Sequence, residues 1–485
     1  MKAAFAETDQ LKVRKISRLL PLLLVGFSSL LAGQLSAQSF KTLHNFAGLS
    51  FGWVEVLDGA APQAALILSG NALYGTALDV FKVNTDGTSF LPLYIFLWDD
   101  QGDLTGLTLS GNTLFGMTHN QGSYGTVFAI STDGTGFTTL YSFSGNDGAN
   151  PVGGLTLSDG VLYGTTYVGG NFESGTVFKV NTDGTGFSLL HSFTVANNNI
   201  NSDGYLLAAG LVLSNNTLYG TAYFGGSWGS GTIFSVGTDG TGFRTLHSFT
   251  GAGGGANPVA DLTLSDNILY GTTVHGGSNG SGTVFKINID GTGFRVLHEF
   301  SAGTSNTYTN SDGAFPEAPL IVSSNIVFGT ASGGGNAGNG TLFSMNIDGT
   351  GFTIQHVFTA TAIDSDTNST SFGQATNSDG ISPAGLTLSG NTLYGTASFG
   401  GIWGWGTVFS ISLPINPPQL TVTQSAPHLI LTWPTNAIGF ALQSTTNLVS
   451  PQIWTAVSTV PVVANGRNAV TNRMSSAQEF FRLSQ

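Results

Sequence analysis

The chain has 485 residues, no cysteine, a formal net charge of −13 and only 8% charged residues. With no disulfide available, the fold rests on core burial, which a chain of this length can supply. The acidic balance argues against nucleic acid and anionic membrane surfaces as partners.

The N-terminus reads as a targeting segment. Lys12, Arg14, Lys15 and Arg18 precede an apolar run from Leu19 to Ala32, and Leu35-Ser36-Ala37 is a small-residue cleavage site. Residues 1–37 are therefore expected to be a signal peptide, with an uncleaved anchor as the alternative. The apolar run is short for a spanning helix, so no membrane span is expected in the mature chain. Cleavage leaves 9 basic against 25 acidic residues, a net of −16. No cysteine follows the cleavage site to carry a lipid. The expected location is secreted or cell-surface.

A repeat fills the middle of the chain. Its clearest copy runs from Leu155 to Phe193 and divides into four short apolar stretches, LTLS, VLYGTT, GTVFKV and GFSLLHSF. Each is β-branched or aromatic and bounded by Gly, Asn, Asp or Ser, which predicts strands a, b, c and d of an antiparallel meander. No stretch sustains a 3.6-residue period, so helix is disfavoured. Asp183-Gly184 and Asp159-Gly160 supply the tight turns. The strand b glycine recurs at Gly75, Gly116, Gly164, Gly220, Gly271, Gly329 and Gly395. The strand c phenylalanine recurs at Phe81, Phe128, Phe178, Phe234, Phe285, Phe343 and Phe409. Both counts are seven, and the spacing suits four-stranded propeller blades better than the coils of a β-helix.

The ends of the array complement each other. Phe40 to Phe46 matches strand d but stands before any strand a, while the last copy stops at Pro414 without a strand d. Pairing the two predicts an all-β, seven-bladed β-propeller over residues 38–413, closed by its N-terminal strand. The first copy is degenerate, its b–c connection cut to Ala77-Leu78-Asp79. The longest d–a loop, from Thr359 to Ala384, reads as mobile. A proline-rich linker ends the array at Pro418. Residues 419–485 are expected to form a small β-sandwich with Trp433 and Trp454 as core aromatics.

The phrase L-T-L-S-x-N-x-L-Y-G-T followed by G-T-V-F-K-V-N-x-D-G-T-G-F resembles the gloeo/verruco tandem repeat of exported bacterial proteins, from about Phe40 to Ile411. The Gly-Gly after strand b also resembles kelch propellers, and the C-terminal part resembles fibronectin type III or immunoglobulin-like modules. The resemblance implies a repeat-built exported protein and carries no biochemical activity to transfer.

In such meanders the d–a and b–c loops share one end and the uniform turns the other. The variable end holds every tryptophan of the array. Trp53 and Trp98 fall in d–a loops, and Trp228, Trp403 and Trp405 in b–c loops. Tyr167, Tyr223 and His275 lie in or beside the same loops, as do Tyr124, Phe172, Phe224, Phe399 and His119. Large aromatics on glycine-rich polar loops suit stacking on sugar rings or on an apolar patch of a protein partner. The competing expectation is that they fold back and cap the core. Trp53, Trp98, Tyr167, Tyr223, Trp228, His275, Trp403 and Trp405 are the candidate ligand-binding residues.

Chemical motifs are sparse. His44, His191, His247, His298 and His356 share one strand d position, with Tyr94 and Tyr141 in the other two copies. Copies spread around a ring do not converge on a metal, so packing between blades is the expected role. Asp364-Ser365-Asp366-Thr367-Asn368 has oxygen-ligand spacing but lacks the glycine and glutamate of an EF-hand. It is a solvated loop with calcium as an alternative, and no other cofactor is implied. Nucleophile-elbow, phosphate-loop and zincin motifs are missing. The expected function is binding of a polysaccharide or cell-surface protein. A propeller-fold polysaccharide hydrolase or lyase, and a structural envelope protein, are the alternatives.

Overall fold

The computed structural model describes residues 11–13, 38–48, 58–96, 104–120, 124–304, 309–365, 373–413, 420–425, 428–434, 441–446, 454–457, 459, 461–464, 467–473 and 479–484. It is all-β among these residues. Ser39–Ser412 forms one compact unit, and the described parts of Leu413–Gln485 together with Leu11–Val13 form another.

The first unit holds seven four-stranded antiparallel sheets. In the third, strands Thr156–Ser158, Val161–Thr166, Thr176–Asn181 and Ser188–Ser192 lie side by side in chain order. The seventh is built from Ile381–Ser389, Thr392–Phe399 and Thr407–Ser412, and its fourth strand is Phe40–Asn45 from the start of the array. The N-terminal strand thus takes the strand d place, with Phe40 opposite Ile411 and Asn45 opposite Thr407.

The turn between strands c and d shows how sequence makes local structure. The Asp183 carboxylate accepts from the Thr185 amide at 2.9 Å and its hydroxyl at 2.6 Å. These bonds favour the ionised acid and lower its pKa. Gly184 takes φ +84°, and a Cβ there would stand 2.8 Å from the Leu140 carbonyl of the preceding sheet. The turn therefore docks on its neighbour as well as reversing the chain.

Apolar side chains of consecutive sheets interdigitate. Between the third and fourth, Val177, Leu190 and Phe193 meet Leu207, Leu218 and Phe234, all buried. Across these interfaces the strand d His or Tyr lies flat on the phenylalanine that follows the c–d turn of the next sheet. The centroid distances are 3.9 Å for Tyr94–Phe137, 3.7 Å for Tyr141–Phe187, 3.8 Å for His191–Phe243, 3.7 Å for His247–Phe294 and 3.8 Å for His298–Phe352. The seventh sheet meets the sixth through Phe40 on His356, at 4.0 Å, and the first through His44 on Phe90, at 3.6 Å. The histidine series is thus a set of packing elements, each with its own partners.

Four of these histidines are held by an aspartate of the following loop. His44–Asp58, His191–Asp203, His298–Asp312 and His356–Asp379 pair at 2.8–3.2 Å. Tyr141 donates to Asp147 at 2.5 Å in the same way. His247 has no such partner because Gly254 stands where the others carry aspartate. Burial without a carboxylate lowers its pKa from 6.5 to about 4. The folded state then refuses a proton that the unfolded chain accepts. His247 therefore withdraws stability as pH falls from about 6.5 towards 4. Gly254 lacks positive φ, and its nearest obstacle is the Thr250 hydroxyl. Gly254→Asp should raise the His247 pKa and stabilise the protein by about 1 kcal/mol, most visibly below pH 6.5. Urea unfolding at pH 5 and 8 with a histidine NMR titration checks this, and an unmoved His247 titration would refute it.

The long loop before the seventh sheet is more structured than its composition suggests. Ala362–Ile363 pairs with Ala375–Thr376. Asn377 closes the return by accepting from the Gly380 amide and donating to the Gly380 carbonyl. Local side-chain bonds order what a core does not. Asp366 to Asn368 of the calcium-like run lie outside the described residues.

The second unit has two four-stranded sheets. Leu431, Trp433, Leu442, Val470 and Phe481 form its core. Trp454 is half-buried, with the Arg482 guanidinium 4.3 Å above its ring. Leu11–Val13, the one described stretch of residues 1–37, pairs with Glu479–Phe481. No described helix is long and apolar enough to cross a membrane.

Candidate functional site

The d–a and b–c loops are stitched together between sheets. The Asn150 amide donates to the Tyr124 carbonyl of the second sheet, and the Tyr167 amide of the third donates to the Asn150 carbonyl. Leu206 repeats this between Ser174 and Tyr223, and Asn257 between Ser230 and Val274. Ala61 does so from Trp405 of the seventh sheet, its amide donating to the Trp405 carbonyl. Backbone bonds of this kind hold loop side chains in place at little further entropic cost.

The eight predicted residues separate by environment. Trp53 and Trp98 lie outside the described residues. Trp228, on the b–c loop of the fourth sheet, is 66% exposed, and Trp403, on that of the seventh, 38%. Trp405 belongs instead to the core edge, packed on the cluster of Leu43, Phe46 and Val408. Gly48, at φ +80°, crosses its indole so closely that a Cβ would meet the ring at 2.4 Å. His275 is exposed and meets Phe315 edge-on at 5.7 Å. Trp228 and Trp403 stand three sheets apart in the array.

Tyr167 and Tyr223, by contrast, are brought together. Each follows strand b of its sheet, and both are half-buried. Tyr223 meets Phe224 edge-on at 4.4 Å, and Phe224 stacks on Tyr205 at 5.5 Å. The Tyr205 hydroxyl donates to Asn199 Oδ1 at 2.8 Å. Burial, then the nearby Tyr167, raises the pKa of Tyr205 and of Tyr223, and Glu317 adds to the shift at Tyr223. The phenols therefore stay protonated at neutral pH and present donors beside apolar ring faces. Glu317 is exposed, yet the surrounding protein removes enough water to raise its pKa, the Ser332 hydroxyl offsetting part of the effect.

The chain entering strand a carries small residues in most copies. Gly106, Gly154, Gly210 and Gly385 precede the first leucine of their strands, and Asp261 takes that place in the fifth sheet. Asp261 Oδ1 accepts from the Gly210 amide at 2.5 Å. A Cβ on Gly210 or Gly154 would lie 3.1 or 3.5 Å from Oδ2. Burial raises the Asp261 pKa, and the Gly210 amide offsets part of the effect.

Sequence reasoning missed Tyr205, Glu317 and Asp261. The available signal was positional. Glu317 stands three residues before Leu320 and Asp261 one before Leu262, where other copies are mostly small or uncharged. Among the described residues no group of three or more His, Asp or Glu converges as a metal site would require.

The model of the Gloeobacter/Verrucomicrobia repeat matches residues 34–210 and 194–381. The chain belongs to the Gloeobacter/Verrucomicrobia repeat family. Outside that family the likenesses are distant, and no curated protein matches. A computationally designed protein, Ika8, is 18% identical over 72% of this chain and 96% of its own, with a TM-score of 0.41. BamB from Moraxella catarrhalis is 14% identical over 72% and 96%, with a TM-score of 0.42. The tricorn protease is 12% identical over 78% of this chain and 33% of its own, with a TM-score of 0.38. This member of the repeat family is an all-β protein built, among its described residues, on four-stranded antiparallel sheets, and no role passes to it from these structures.

Proposed function

We propose that this is an exported binding protein whose loop end contacts carbohydrate or a protein surface. Its seven sheets act as the blades of a closed, seven-bladed, kelch-like β-propeller. Two stacks made by the N-terminal strand, Phe40 on His356 and His44 on Phe90, support closure. Two sheets around Trp433 support a fibronectin type III or immunoglobulin-like second domain.

The observation that carries the functional reading is where the apolar surface is spent. Trp228, Trp403, Phe172, Phe399, Tyr124 and Ile402 are all exposed, Phe399 at the end of strand b and the others on b–c loops. The opposite ends of the sheets show far less, with Ile326 and Leu91 as the exposed large side chains there. Exposed rings on loops tied into a rigid scaffold bind flat apolar ligand faces at low entropic cost. The tyrosine group adds hydroxyl donors and one carboxylate, the mixture that sugar hydroxyls need.

Affinity electrophoresis through gels containing polysaccharides tests this. Retardation is expected for the parent chain, reduced at least tenfold in apparent affinity by Trp228→Ala with Trp403→Ala, at an unchanged melting temperature. Trp405 is left in place because its ring is part of the core edge. Equal retardation of parent and double variant would remove the assignment.

A further inference from the structure

The first sheet departs from the other six at the opening position of strand c. There the others carry threonine, at Thr126, Thr176, Thr232, Thr283, Thr341 and Thr407, all buried. Four of these hydroxyls donate to the backbone carbonyl of the loop aspartate. The bonds are Thr176 to Asp147 at 3.2 Å, Thr232 to Asp203 at 2.9 Å, Thr341 to Asp312 at 3.1 Å and Thr407 to Asp379 at 3.0 Å. In the first sheet the residue is Asp79, and the loop aspartate before it is Asp58.

The exchange replaces a donor by an acceptor among acceptors. Asp79 is 1% exposed, and neither carboxylate oxygen has a hydrogen-bond partner among the described residues. The Ala77 carbonyl and Asp79 Oδ1 both crowd the point where a Cβ on Gly59 would stand, 2.1 and 2.5 Å from it. Asp58 is a second acid nearby, engaged by His44 Nε2 at 2.8 Å and by the Ala47 amide at 2.7 Å. Burial and then the Asp58 charge raise the Asp79 pKa well above the usual range. A buried carboxylate beside another acid is costly unless a positive charge meets it.

We propose that Asp79 is the anchor of a calcium-class cation site between the first d–a loop and the shortened b–c connection. Both Asp79 oxygens serve as ligands. The Ala77 carbonyl, which also accepts from the Ala60 amide at 2.9 Å, is the adjacent oxygen, and Asp58 is the neighbouring acid. Carboxylate and carbonyl oxygens are the ligands calcium takes, and it tolerates irregular geometry. The shortening of the connection to Ala77 and Leu78, the latter at φ +58°, is what delivers the carboxylate. A small cavity lined by Ala61, Gln63, Thr76, Ala77, Leu78 and Leu104 opens along the shortened connection.

Thermal unfolding of the full chain in chelator and in millimolar calcium chloride tests the site. Calcium should raise the parent melting temperature by several degrees. Asp79→Thr, which restores the residue of the other six sheets, should lose the response and melt no lower than the calcium-free parent. A parent indifferent to calcium overturns the proposal, including the case where its melting temperature merely falls as pH rises, the mark of a carboxyl that holds only a proton. An equal calcium response in Asp79→Thr also overturns it, placing calcium elsewhere, as at Asp364.

Discussion

Deleting Ser39 to Phe46 is expected to destabilise the whole seven-sheet unit. The strand buries Leu43 and Phe46, the latter completely. Phe46→Ala alone should cost about 3–5 kcal/mol, the usual range for a buried phenylalanine. Deletion also removes the ladder to Thr407–Ser412 and leaves that strand as a bare edge, open to pairing with other chains. It breaks the contacts on both flanks, the Phe40–His356 stack with the sixth sheet and the His44–Phe90 stack with the first. The Thr42 hydroxyl bond to the Ser378 carbonyl, at 2.9 Å, goes too. Hydrogen exchange should show protection falling in the first and sixth sheets as well as the seventh. Where the deletion does not accumulate, Phe40→Ala with His44→Ala removes both stacks and keeps the ladder. Loss of protection confined to the seventh sheet in that variant would contradict a closing role.

Much of this was legible because the repeat supplies its own reference. Strand alternation and Asp-Gly turns fixed the meander. The spare Phe40–Phe46 strand could be matched to the missing one only because six complete copies said what a sheet contains. The candidate site was less legible, for a physical reason. Tyr167, Tyr205, Tyr223 and Glu317 come from loops up to about 150 residues apart and meet through the packing of successive sheets, which no local pattern encodes. Trp403 and Trp405 lie two residues apart on one loop, yet the first is exposed and the second packed. Gly48, a residue of another loop, crosses the Trp405 indole on a left-handed backbone, a contact that no local pattern encodes. Asp79 entered the sequence reading only as part of a shortened connection, and its isolation from donors is a property of three dimensions.

The strand b glycine has the simplest explanation and a large single-residue consequence. Gly164 pairs across the sheet with Phe178 and has no positive φ, so space rather than backbone freedom is what it provides. A Cβ would stand 2.6 Å from Phe178 Cζ and 3.0 Å from Leu155 Cδ2. The same phenylalanine contact recurs at 2.5–2.6 Å for Gly75, Gly116, Gly220, Gly271, Gly329 and Gly395. The Phe178 ring cannot withdraw, since Phe143 meets it edge-on at 5.1 Å and Phe187 stacks on it at 5.7 Å. Gly164→Ala should therefore cost about 2–3 kcal/mol by overpacking, and Gly164→Val more. If the ring is the obstruction, a smaller side chain at 178 relieves it. Gly164→Ala combined with Phe178→Leu should lose at least 1 kcal/mol less than the two changes made separately. Urea unfolding of the four proteins measures that difference, and strictly additive losses would mean that something other than the Phe178 ring excludes a side chain at Gly164.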